Sequence, residues 1–108
     1  MNISKTFSIK EVINLAKFVV IYKDRVRKGL THDLIKNHVE HIKNQHKKEI
    51  LFLCGFLKKT DKAILILETE TLKEAKEIIS QDPLIATKHY NYDIYELNEA
   101  NESNNWFL

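Results

Sequence analysis

The chain has 108 residues, enough for one domain with a modest core and too few for two. Hydrophobic residues make up 44% and charged residues 30%, the balance of a soluble globular protein rather than a disordered or fibrous one. Seventeen Lys and Arg against fifteen Asp and Glu leave a net charge of +2, too even to imply nucleic acid on charge alone.

The longest apolar runs, residues 18–22, 50–54 and 63–67, fall far short of the ~20 residues of a membrane helix. Lys10 and Glu11 interrupt what would be the apolar region of a signal peptide. A cytoplasmic protein with no membrane partner is therefore expected. The single cysteine, Cys54, excludes an internal disulfide and a cysteine-based zinc site. Within Leu51-Phe52-Leu53-Cys54 it reads as a buried, inert thiol.

Residues 1–16 read as an N-terminal extension in which Ser8, with Glu11 three positions on, opens a short helix over 9–16. Residues 17–23 (KFVVIYK) are a strand, rich in β-branched and aromatic residues and apolar on both faces. A basic loop follows, DRVRKGL, with Gly29 as its turn residue. Thr31 or Asp33 then caps a helix running to about Lys48. Leu34, Ile35, Val39 and Ile42 mark its inner face, whose mean direction at ~100° per residue falls between Ile42 and Ile35. His38 and His46 lie inside that arc, His32 and His41 on its flanks.

Residues 50–57 (ILFLCGFL) are a second strand, with Gly55 as the expected bulge or point of close approach. A polar turn at 58–62 leads into a third strand, 63–68 (AILILE), which should pair with the second as an antiparallel hairpin. Thr71, with Glu74 at the capping-box position, opens a second helix over 72–81. Pro83 ends it, because the residue before proline avoids the helical region. Residues 90–97 (YNYDIYEL) are the fourth strand, and 98–108 a polar tail closing on Trp106-Phe107-Leu108. That tail reads either as a disordered end or as a cover for a partner or pocket.

Strand, helix, strand, strand, helix, strand is the ferredoxin-like βαββαβ order of an α+β protein. It implies a four-stranded antiparallel sheet with both helices on one face. The other sheet face is then apolar and uncovered within one chain, so a homodimer burying sheet against sheet is expected.

Over residues 17–97 the chain resembles the YCII-related family. The resemblance rests on FVVIY in the first strand, His38 in the helix and the strand ending Cys54-Gly55. It is completed by TLKEAKEIISQDP and the closing YDIYEL. It implies a dimeric α/β barrel of ferredoxin-like subunits, related to the muconolactone-isomerase-like superfamily, with His38 and Asp82 at the positions of the family's active-site pair. Some relatives carry out dehydrochlorination or lactone isomerisation of aromatic breakdown products. The chain departs from the pattern at Ile35, where the family often has arginine, at Phe56, where it usually has proline, and in the short 58–62 loop.

His38 also stands out from the residues themselves. An imidazole takes and gives a proton near neutrality, and a nearby carboxylate would orient it. The plainer reading is a core histidine bonded to a backbone carbonyl. Asp82 likewise has two readings that can coexist: partner of His38, or N-cap of the short segment begun by Pro83. Tyr22 and Tyr92 are candidate substrate contacts.

HVEHIKNQH does not make a metal site, since His46 lies ~140° from His41 around the helix and no HExxH pattern is present. Those two histidines read as solvated, and His89 as an exposed loop residue. No cofactor is expected. Nucleic acid is not expected either, because the third strand, AILIL, lacks the stacking aromatics of RNA-binding sheets. Two functions remain: a small-molecule enzyme of isomerase or lyase type using His38 and Asp82 for proton transfer, or a non-catalytic dimeric module binding a metabolite or protein.

Overall fold

The computed structural model describes residues 15–108. The predicted helix at 9–16 lies almost wholly outside them, and Ala16 belongs to the first strand. The elements are β1 (Ala16–Lys23), α1 (His32–Lys47), β2 (Leu51–Phe56), β3 (Ala63–Thr69), α2 (Leu72–Ser80), α3 (Pro83–Ala86) and β4 (Asn91–Leu97). A 3-10 segment, Glu102–Phe107, follows them. The sheet is antiparallel in the order β2-β3-β1-β4, the α+β ferredoxin-like arrangement expected from the element order.

Alternation along the strands decides which face is the core. Phe18, Val20 and Tyr22 of β1 and Leu65 and Leu67 of β3 are buried, and Ala75 and Ile79 of α2 and Leu84 of α3 join them. Leu34 and Ile42 of α1 lie against this cluster from the outside. Helix starts are made by side chains: Thr31 Oγ1 accepts from the Leu34 N–H at 3.2 Å, and Thr71 Oγ1 from the Glu74 N–H at 3.1 Å. Asp82 is extended (φ −65°, ψ 125°), which ends α2 before Pro83 and starts α3 in a single residue.

On the opposite face Val19 and Ile21 of β1 stand beside Ile66 and Ile64 of β3, and beside Tyr95 and Asp93 of β4. Lys17 lies over the Phe52 ring at 5.1 Å and pairs with Glu68 and Glu99 at 3.8 and 3.3 Å, fixing one corner of that face. No helix among the described residues is long and apolar enough to cross a membrane.

Several local expectations change. The irregularity in β2 lies at Phe52, between Leu51 and Leu53, while Gly55 pairs regularly with Ile64 and has open space where a Cβ would sit. β2 is an edge strand, and Phe52, Leu53 and Phe56 are exposed. Cys54 is exposed for the same reason, contrary to its expected burial. In α1 the buried face is centred between Leu34 and His38: Gln45 is buried and His46 exposed, while Ile35 and Val39 remain 42% and 41% exposed. The tail forms the closing 3-10 segment, where Asn101 caps the Ser103 N–H, and Trp106 and Phe107 stay exposed.

Candidate active site

The site is built around Asp82, the carboxylate in the bend between α2 and α3. It is fully buried at 0% exposure, and both oxygens are used. Oδ1 accepts the Leu84 N–H at 2.9 Å, the N-cap bond that starts α3. Oδ2 accepts the Tyr22 hydroxyl at 2.5 Å and lies 2.7 Å from His38 Nδ1. Residues 44 and 60 positions away in sequence thus meet on one oxygen atom. The capping and partnering readings of Asp82 both hold, one on each oxygen.

Burial by itself pushes the Asp82 carboxyl up. The hydrogen bonds from His38, Tyr22 and the Leu84 backbone, with the charge interaction with His38, outweigh it and hold the carboxyl below the usual carboxylate range. Tyr22 is pushed up, first by burial and then by the Asp82 charge and hydrogen bond, so its hydroxyl stays protonated and donates. Against an ionised carboxylate the bonded ring nitrogen of His38 must carry the proton. Nδ1–H therefore donates to Asp82, and in the neutral ring the lone pair sits on Nε2.

The His38 side chain is 21% exposed and lines a cleft of about 390 Å³. Ile35, Val39 and Ile42 of α1 form one wall and Cys54, Gly55 and Phe56 of β2 the other, with Leu65 and Tyr90 also on the lining. α1 carries Ile35 and Val39 past the core, which leaves them 42% and 41% exposed along this cleft.

His38 and Asp82 are therefore brought together. Tyr22 meets Asp82, a role the strand pattern did not suggest: its alternation gave only burial, and a buried phenol that needs a partner was the available signal. Tyr92 is partly buried against the core and is not on the cleft lining. His41 is not simply solvated, since its Nε2–H donates to the Ile78 carbonyl at 2.9 Å and ties α1 to α2. His89 lies in a loop as expected but is only partly exposed, and its Nε2–H donates to the Lys28 carbonyl at 3.1 Å. Among the described residues no group of three or more His, Cys, Asp or Glu is placed to hold a metal ion.

No family model matches the chain, and no curated protein matches it. Among solved structures it is similar to 5-chloro-2-hydroxyhydroquinone dehydrochlorinase (TftG) from Burkholderia phenoliruptrix AC1100, in complex with 2,5-dihydroxybenzoquinone. The identity is 18% and the TM-score 0.55, covering 76% of this chain and 94% of that one. At that identity the likeness is one of fold.

Proposed function

We propose that this protein is a small-molecule enzyme of isomerase or lyase type, related to the YCII family, in which His38 is the general base and Asp82 its positioning residue. The observation that carries the reading is the 2.7 Å contact of His38 Nδ1 with a fully buried carboxylate, on a histidine that also lines a cleft. Asp82 holds the tautomer and would stabilise the imidazolium formed when Nε2 takes a proton. Tyr22 and the Leu84 N–H hold Asp82 in turn, so the base sits on a braced support.

The chemistry that fits is removal of a proton from carbon beside a carbonyl. The C–H electron pair then either shifts along the conjugated system, with the proton returned at another carbon, or forms a new π bond as a leaving group departs from the neighbouring carbon. The first outcome is isomerisation and the second elimination. The fold shared with a dehydrochlorinase makes chloride an appropriate leaving group to test. In a chlorohydroquinone the proton taken is a phenolic O–H of the keto tautomer. Its electron pair forms the quinone carbonyl as chloride leaves the ring carbon that gained a hydrogen in that tautomerisation.

The test is chloride release from 5-chloro-2-hydroxyhydroquinone, with deuterium exchange into unsaturated lactones in heavy water alongside. Turnover above buffer that falls by about 10²–10⁴ in His38→Asn is expected for loss of a general base. Equal rates in the wild type and His38→Asn would remove His38 from the mechanism, and absence of turnover and of exchange would defeat the enzymatic reading.

We also infer that two chains associate through the open sheet face. Val19, Ile21, Ile64 and Ile66 form a contiguous apolar centre there, flanked by Tyr95. Ile66→Asp would place an unpaired charge at that centre, and sedimentation at micromolar concentration should change from dimer to monomer. A wild type that already sediments as a monomer rules this association out.

A further inference from the structure

The cleft carries a charge signature that proton transfer does not use. Arg25 and Lys43 lie on its lining and no carboxylate does, while Asp82, the site's own acid, is enclosed behind His38. Arg25 is half-buried, yet it forms no ion pair with a carboxylate among the described residues. Lys43 has only Glu40, 3.8 Å away on the exposed helix surface, a contact too weak to hold it. With no carboxylate paired to it, the Arg25 guanidinium is available to an anion that enters the cleft.

The loop presenting Arg25 is clamped. The Val26 N–H donates to the His89 carbonyl at 2.8 Å, and the His89 ring reaches back to the Lys28 carbonyl. Gly29 turns the chain at φ +76°, with His89 Nε2 3.5 Å from where a Cβ would sit. The backbone that carries Arg25 is thus held by the segment between α3 and β4, which limits the ordering cost of binding to the side chain itself.

We propose that the cleft selects organic anions. The ligand's apolar, ring-sized body lies between α1 and β2, and its acidic group is held by Arg25 and Lys43. This rests on the reading of the cleft as the substrate site and names the class of substrate it takes. Both cations are specificity determinants, and neither takes part in moving the proton.

The experiment uses a matched pair of probes, 2-naphthoate and its neutral amide 2-naphthamide, titrated by calorimetry or NMR into the full chain. The wild type is expected to prefer the naphthoate by about tenfold, the scale of one charge-assisted contact. In Arg25→Gln/Lys43→Gln the preference should fall to within about twofold, through loss of naphthoate affinity. In His38→Asn the preference should persist. No preference in the wild type, a preference that survives in the double variant, or no binding of either probe at millimolar concentration overturns the proposal. Anion selectivity without turnover on any substrate would leave it standing while defeating the proton-transfer reading, so the two can fail separately.

Discussion

Asp82→Asn is the most incisive perturbation, because it keeps the shape of the side chain and removes its charge. The amide oxygen can still accept the Leu84 N–H, so the start of α3 survives. The NH₂ group, however, takes the place of Oδ2, where the Tyr22 hydroxyl and His38 Nδ1–H both donate at 2.5 and 2.7 Å. Tyr22 must rotate its hydroxyl, and His38 must move its proton to Nε2, which removes the lone pair from the cleft side. Two bonds to a charged acceptor at ~1.5–3 kcal/mol each become neutral bonds at ~1 kcal/mol.

The expected loss is therefore about 2–3 kcal/mol at pH 7, or ~10–20 °C in Tm for a domain of this size. Urea denaturation at several pH values supplies the discriminating readout. Because the folded carboxyl is held below its usual value, its stabilisation is complete above the unfolded pKa of ~3.9 and is lost as pH falls through the folded pKa. The margin of wild type over Asp82→Asn should accordingly narrow with acid below about pH 4. A cost under about 0.5 kcal/mol at pH 7, or a margin constant down to the acid transition, would refute the argument that a buried, hydrogen-bonded charge holds this site together.

Tyr22→Phe removes one of the three donors to Asp82, and equilibrium unfolding should show a cost of about 1–2 kcal/mol. In a double-mutant cycle with Asp82→Asn its effect should be less than additive, since both changes remove the same bond. Gly29→Ala forces an L side chain to φ +76° and should cost about 1 kcal/mol, together with weaker naphthoate binding as the Arg25 loop loosens. Leu67→Ala, at a residue 0% exposed, should cost about 3 kcal/mol in denaturant titration, whereas Phe56→Ala, at 85% exposed, should stay within about 0.5 kcal/mol.

Much of the fold was legible because the relevant signals are local. Thr31, Thr71 and Asp82-Pro83 mark helix boundaries through their own hydrogen bonds and dihedral limits, and the alternation in β1 and β3 fixes the buried face. Burial departs from the local pattern where it depends on what lies across the sheet. Cys54 and Phe52 look like core residues by composition, yet β2 is at the edge and leaves them exposed. In α1 the apolar residues Ile35 and Val39 pull the estimated inner direction toward the cleft. The packed face instead includes the polar Gln45, which periodicity of apolar residues cannot see.

By itself the sequence determines the order and limits of the elements and the presence of an inward-facing histidine at 38, because these follow from side-chain chemistry within a few residues. Only the tertiary structure decides that His38 and Tyr22 converge on one oxygen of Asp82, or that Arg25 and Lys43 border the same cleft as His38. Those groups come from β1, α1 and the α2–α3 bend, and from the loop that joins β1 to α1. Their meeting depends on how the helices cross the sheet, a quantity set by packing over the whole domain and by no residue pattern along the chain.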